Sequence, residues 1–171
     1  MDVTLIVLRV IHIVSGIAWV GAGALVVLYI RPTLFALGPD AEKVVNELFV
    51  RRKLPVYFAV VSTLTVLAGA LLYWRASGLQ WVFVTRPTGL GLTIGAVAGL
   101  VAWPIAILAL PRAFAGVGEV GAEMKAAGGP PTPELIGRLR AAQARITRLS
   151  YVLLTLLTVA AVFMAIARYL R

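Results

Sequence analysis

The chain consists of four long apolar runs, separated by shorter stretches that hold most of its charges and turn-forming residues. A helix rises about 1.5 Å per residue, so about 20 mostly apolar residues cross the hydrocarbon core of a bilayer. Each of the four runs reaches this length, and the pattern therefore predicts four transmembrane helices. They extend from about Thr4 to Ile30, Leu54 to Trp74, Thr88 to Leu110 and Leu149 to Leu170.

Two prolines are expected to end helices. Proline removes a backbone donor and crowds the preceding turn, so the first span is predicted to stop at Arg31-Pro32 and the third at Pro111-Arg112. Short connections favour antiparallel neighbours. The sequence therefore predicts an all-α protein: an integral membrane up-down four-helix bundle that forms one domain over residues 1–171.

The connections carry helical signals of their own. Residues 40–53 place apolar side chains at helical spacing and predict a short amphipathic helix on the cytoplasmic surface. Gly128-Gly129-Pro130-Pro131 predicts a break. Thr132-Pro133-Glu134 then supplies a cap, a proline at the first helical position and an acid in the first turn. One long helix is expected from about Pro133 to Tyr169, extending into the cytoplasm.

Composition supports the membrane assignment. Hydrophobic residues make up 61% of the chain and charged residues 13%, whereas soluble domains average about 45–50% and about 25%. The net charge of +9 is explained by the positive-inside rule and by attraction to anionic lipid, so nucleic-acid binding is not expected. The absence of cysteine excludes disulfides, thiolate metal sites and cysteine nucleophiles.

Basic residues are concentrated in two of the three connections. By the positive-inside rule both rich loops face the cytoplasm, and both termini then face outside. The rich loops hold Arg31, Lys43, Arg51, Arg52 and Lys53 after the first span, and Arg112, Lys125, Arg138, Arg140, Arg145 and Arg148 after the third, whereas the remaining loop holds only Arg75 and Arg86.

The third span carries a stripe of small residues, Gly91, Gly95 and Gly99. Glycines four residues apart let another helix backbone approach closely. The stripe is therefore typical of tight helix packing or of a homodimer or larger membrane complex joined through this face. A flat ligand lying against Gly91 and Gly95 is the alternative interpretation.

Few polar side chains lie inside the predicted spans, and such groups mark candidate sites because burying them in hydrocarbon is costly. His12 is the only histidine, with Arg9 one turn before it and Trp19 two turns after it. The fourth span holds Met164, with Arg168 one turn beyond. No Asp or Glu lies in any span, which disfavours proton-coupled transport. The second span contributes Ser62, Thr63 and Thr65.

One histidine cannot supply the three or so protein ligands of a hydrolytic metal site, but it can hold a haem iron axially. His12 lies ~12 Å and Met164 ~9 Å from the predicted outer ends of their spans, by the rise of a helix. We therefore expect His12 to ligate a haem iron, with a thioether, a lysine, water or nothing opposite, and Met164 is the thioether at a similar depth. Gly91 and Gly95 would admit the ring, Trp19 would pack on it, and Arg9 and Arg168 would hold the propionates.

Each of these residues also has a simpler structural explanation. His12 could hydrogen-bond a neighbouring helix, and Met164 could fill space in the core. Arg9 and Arg168 could extend to the lipid headgroups. Trp19 could be a packing residue.

The first third of the chain resembles a known superfamily. Ile11-His12, Trp19 and Gly21 match an "L-H-x6-W-x-G" pattern, and Arg31-Pro32 with Phe35 follows the span. This opening resembles a broad group of four-span bacterial membrane proteins that includes copper-resistance-D-like domains and HemJ-type protoporphyrinogen oxidases. The resemblance implies the bacterial inner membrane and a role for His12 in binding haem b or a metal. HemJ-type enzymes also use a lysine in span three, and this chain has none there.

The leading interpretation is a haem-b-binding protein for electron transfer or redox chemistry near the outer face. The alternative is a cofactor-free membrane scaffold or accessory subunit. A third interpretation, copper or small-solute handling, fits the resemblance but finds few ligands in this chain. Whether the chain is an enzyme is left open by the sequence.

Overall fold

The computed structural model describes residues 2–170, and within this range the chain is 92% helical and has no strand. Four helices are long and apolar enough to cross a membrane. Two short helices lie in the connections. The long helices are α1 (Val3–Leu37), α3 (Leu54–Ser77), α5 (Pro87–Ala126) and α6 (Pro133–Tyr169), and the short ones are α2 (residues 41–51) and α4 (Trp81–Thr85).

The start of α6 is the one that the sequence predicts. The Thr132 side chain accepts a hydrogen bond from the Leu135 N–H at 3.3 Å, and Pro133 occupies the first turn. Both features satisfy or remove backbone donors that a helix start leaves unpaired. The predicted break before it is also confirmed, because α5 ends at Ala126 and Gly128 adopts a φ of 63°.

The two prolines do not end their helices, which corrects the expectation that helices stop at Arg31-Pro32 and Pro111-Arg112. A π turn precedes each proline, over Val26–Ile30 in α1 and Ile105–Ala109 in α5. The carbonyl that each proline ring would crowd, four residues earlier, lies inside that wider turn. The helices therefore continue to Leu37 and Ala126. The limits of the membrane-crossing parts within these helices stay predictions.

The predicted short helix after the first span is present as α2. It turns the chain back toward α3 and contacts α5, where the rings of Phe49 and Phe114 have centroids 5.3 Å apart. Just beyond its end, Arg52 Nε donates a hydrogen bond to Glu47 Oε1 at 2.9 Å. Lys53 then adopts a φ of 52° immediately before α3 begins.

Neighbouring long helices run in opposite directions along their contacts. In the pair α1–α3, Asp2 bonds Arg75 at 2.6 Å and the Tyr57 hydroxyl bonds the Ala18 carbonyl at 3.2 Å. The start of α1 therefore lies beside the end of α3, and the two helices are antiparallel along this contact. The helices α5 and α6 are antiparallel as well. Thr88 at the start of α5 bonds Leu170 just after α6, and Glu123 near the end of α5 bonds Arg138 near the start of α6.

The protein core is small, and most apolar side chains point away from it. Trp19 of α1, Ala102 of α5, and Leu153 and Leu157 of α6 form the buried cluster. In the most apolar window of each long helix, only 11 to 22% of the residues are buried within the chain. The outward surface is thus largely hydrocarbon, as expected of helices that use lipid as their solvent.

Candidate functional site

His12 lies on the face of α1 that packs against α3. Ser15 and Trp19, one and two turns further along this face, are buried, and His12 itself is partly buried. Leu8, one turn earlier, lines a cavity of about 170 Å³ between the first turns of α1 and the last turns of α3. The helical spacing of apolar and small polar residues thus turns the only histidine toward a neighbouring helix.

A hydrogen bond fixes the orientation of the imidazole. His12 Nδ1 lies 2.8 Å from the Thr65 carbonyl oxygen of α3. A carbonyl can only accept, so Nδ1 carries the proton and, in the neutral ring, Nε2 keeps its lone pair. No hydrogen bond joins Nε2 to any residue from 2 to 170. The ring therefore has one nitrogen held by the protein and one available as a ligand.

The imidazole can reach this carbonyl because α3 has a glycine there. A Cβ placed on Gly69 would lie 2.7 Å from His12 Cε1 and 2.9 Å from Nδ1. Real side chains do not approach so closely, so any larger residue at this position would displace the ring. Gly69 comes one helical turn after Thr65. These two residues of α3 form the surface that the His12 ring contacts.

Small hydroxyl groups continue the polar contact between α1 and α3. The Thr65 hydroxyl lies 2.9 Å from Ser15 Oγ and 2.7 Å from the Val61 carbonyl. The Ser15 hydroxyl donates to the Ile11 carbonyl at 2.5 Å. These bonds satisfy hydroxyl groups that would otherwise be costly in an apolar environment.

Met164 lies at a different helix pair. A Cβ on Gly95 of α5 would be 2.8 Å from Met164 Cγ, and one on Gly91 would be 2.8 Å from Leu170 Cδ1. Side chains of α6 thus cover both glycines, whereas Gly99 has nothing within 4 Å of such an atom. The structure brings His12 together with α3 and brings Met164, Gly91 and Gly95 together at α5–α6.

The other predicted site residues divide between the surface and the core. Arg9 and Arg168 are exposed, and the Arg168 guanidinium lies 4.6 Å from the centroid of the Tyr169 ring. Trp19 is 2% exposed and belongs to the core cluster. Its position agrees with the packing explanation of this residue.

The donor set suits a cofactor that brings most of its own ligands. Among the described residues, no group of three or more His, Cys, Asp or Glu side chains could hold a metal ion. A haem needs only axial ligands from the protein, because the porphyrin supplies the other four. The cavity beside Leu8 is smaller than usual small-molecule pockets, which measure about 300–1,000 Å³. This cavity therefore does not enclose a ligand as large as a porphyrin.

Gly69 is the site residue that the sequence did not single out, and Thr65 was noted only as a polar residue of its span. The available signal was the lone glycine of an apolar run, flanked by Ala68 and Ala70 and one turn after a threonine. Comparisons of the chain with family models, with curated proteins and with solved structures gave no match. The structure thus defines an all-helical chain with four membrane-length helices and one histidine held by a neighbouring backbone.

Proposed function

We propose that this chain is an integral protein of the bacterial inner membrane that binds haem b through His12. The four long helices form an up-down bundle, the basic loops face the cytoplasm and both termini face outside. The uneven distribution of lysine and arginine supports this orientation. His12 then lies in the outer half of the membrane, and the function is electron transfer or redox chemistry near the outer face.

The hydrogen bond between His12 Nδ1 and the Thr65 carbonyl is the observation that carries the proposal. Histidines that bind metals almost always donate their other ring N–H to a carbonyl, a carboxylate or water. This bond selects the tautomer and fixes the plane of the ring. In a cofactor-binding role Thr65 and Gly69 are positioning residues, and Nε2 is the ligand.

The other residues of the site act on the periphery of the cofactor. When bound, the haem would supply an iron that accepts and releases one electron. Arg9 and Arg168 are exposed at the outer ends of their helices and would pair with the propionates. Met164 would be a second ligand only if it left its contact with Gly95, because it packs at the pair α5–α6 whereas His12 packs against α3.

The test is an absorption spectrum of the detergent-purified protein, oxidised and then reduced with dithionite. We expect a Soret band with reduced α and β bands, lost in His12→Ala. The matched control is Thr158→Ala, because that exposed hydroxyl bonds only the Leu154 carbonyl of its own helix. Met164→Leu then tests the second axial ligand. A protein that stays colourless after haem is supplied during expression would exclude the haem function.

A cofactor-free scaffold is the second candidate, and one observation favours it. The bond to Thr65 by itself gives His12 a structural role, since it ties α1 to α3. The open space in front of Gly99 would then admit a helix of a second copy or of another subunit. A colourless protein whose unfolding temperature falls in His12→Ala would support this candidate.

A further inference from the structure

Arg31 occupies an unusual position where the apolar part of α1 gives way to the basic loop. Its side chain extends to α6, where one guanidinium nitrogen, Nη2, donates to the Thr147 hydroxyl. Two aromatic rings flank the guanidinium. The distances from its carbon to the ring centroids are 5.5 Å for Phe35 and 5.9 Å for Tyr151, within the range of cation–π contacts.

The other terminal nitrogen of Arg31, Nη1, is buried and has no hydrogen-bond partner among residues 2–170. Native structures rarely leave a buried hydrogen-bond donor unpaired. The free-energy cost is largest when the unpaired donor is charged. Thr147 does not resolve this deficit. Its hydroxyl proton goes to the Gln143 carbonyl at 2.8 Å, so it offers Arg31 a neutral acceptor only.

The charge of Arg31 is also uncompensated. The ion pairs within the described residues use the acids Asp2, Glu47 and Glu123, and none of them involves Arg31. In the sequence of α6, two exposed arginines, Arg145 and Arg148, stand on either side of Thr147 and add positive charge to this part of the helix. The site thus combines an orphan donor, a neutral hydroxyl and a local excess of cations.

We propose that Arg31, held by Thr147, binds the phosphate of an anionic phospholipid between α1 and α6. A phosphodiester supplies the missing acceptor and the missing negative charge together, and the guanidinium fork matches its oxygens. Phe35 and Tyr151 are each about half exposed and would move aside to open Nη1.

The surroundings indicate a lipid rather than a free phosphate. Leu28, one turn before Arg31, is 48% exposed and would lie beside the acyl chains. Tyr151 is a residue typical of the headgroup level, since its ring is apolar and its hydroxyl polar. The site stands at the end of the helix pair that carries the basic loops, where anionic lipid is concentrated if those loops face the cytoplasm. This inference does not depend on the haem proposal.

Native mass spectrometry of the purified wild-type protein tests the site directly. We expect bound phosphatidylglycerol to survive at an activation energy that removes phosphatidylcholine, and added sodium chloride to weaken its binding. Equal retention of both lipids would overturn the proposal. Displacement of phosphatidylglycerol by inorganic phosphate at matched concentration would also overturn it, because the ligand would then be a free anion.

Variants assign the binding to Arg31. Arg31→Gln should weaken phosphatidylglycerol binding about tenfold, the scale of one lost charge-assisted bond. Arg31→Lys should recover only part of it, because the ammonium lacks the planar fork. The matched control is Arg112→Gln, since Arg112 is exposed at the corresponding point of α5. Equal binding of phosphatidylglycerol by Arg31→Gln and Arg112→Gln would overturn the proposal. If Arg31→Gln does not fold, the comparison of the two lipids on the wild-type protein still tests it.

Discussion

The imidazole of His12 lies directly over the backbone of Gly69, where a side-chain carbon would come within 2.7 Å of the ring. The contact joins the only histidine of the chain to the only glycine of α3. It makes the position of a polar ring depend on the absence of a single methyl group. Substitutions at either residue therefore report on the same contact.

Gly69→Ala should destabilise the protein although alanine favours helices. The added methyl group would displace His12, and overpacking of this kind costs about 1–3 kcal/mol. Alanine for glycine elsewhere in a helix gains up to about 1 kcal/mol. Gly21→Ala is the matched control, because nothing lies within 4 Å of a Cβ at that position. Thermal unfolding in detergent should thus shift down for the first variant and up or not at all for the second.

Thr65→Val should separate the two polar groups of Thr65. The hydrogen bond to His12 uses the backbone carbonyl, which valine retains, whereas the bond to Ser15 uses the hydroxyl, which valine lacks. We expect a loss of about 0.5–1.5 kcal/mol in stability, with the absorption spectrum of the proposed haem site preserved. Loss of the spectrum to the same extent as in His12→Ala would contradict this division of roles.

Gly95→Ala should weaken the pair α5–α6, and Gly99→Ala should not. A Cβ at position 95 would meet Met164 Cγ at 2.8 Å and the Ala160 carbonyl oxygen at 3.2 Å, and the latter is backbone that cannot rotate away. At position 99 the same atom meets nothing within 4 Å. Unfolding temperatures of the two variants measured side by side should differ, with Gly95→Ala the lower. Equal values would mean that α5 and α6 are less closely packed than described.

The ion pair between Glu123 and Arg138 lies beyond the predicted membrane spans, in the loop-side parts of α5 and α6, and it predicts a pH dependence of stability. The hydrogen bond and the charge of Arg138 lower the pKa of Glu123 below its usual value. The stability that this ion pair contributes is therefore fully present above the ordinary glutamate pKa. It is lost as the pH falls through the lowered pKa of Glu123. An NMR titration of Glu123 should show its pKa rising toward the usual value in Arg138→Gln. Arg140→Gln, which removes an exposed charge two residues further on, should leave that pKa unchanged.

Local signals in the sequence predicted the helices well and the contacts between them poorly. The start of α6 was predictable because Thr132 caps backbone donors only three residues away. The passage of α1 through Pro32 was not, because a π turn depends on how the surrounding helices accept a wider backbone. Each apolar run marks a helix, whereas the rotation of that helix against its neighbour depends on packing.

In the candidate site, too, the sequence identified a residue but not the contacts that this residue makes with another helix. His12 was identifiable because one ionisable group in an apolar run is conspicuous wherever the helix faces. Its partner was not, since the acceptor is a main-chain carbonyl that every residue possesses and Gly69 contributes by lacking a side chain. Likewise Gly91 and Gly95 indicated a close approach but did not tell whether α6, a ligand or a second copy would make it. In the structure α6 makes that approach.

The π turns before Pro32 and Pro111 affect how substitutions in α1 and α5 should be designed. A π turn accommodates one residue more than an α-helical ladder would, so the angular phase of side chains shifts by about 100° across it. A helical wheel drawn through Val26–Ile30 or Ile105–Ala109 as uninterrupted α-helix would therefore assign residues on one side of the turn to the wrong surface. Deleting one residue from either turn would convert it to regular α-helix and keep the side chains beyond it, Arg31 of α1 included, on their present faces, whereas the same deletion within regular α-helix would rotate them by about 100°.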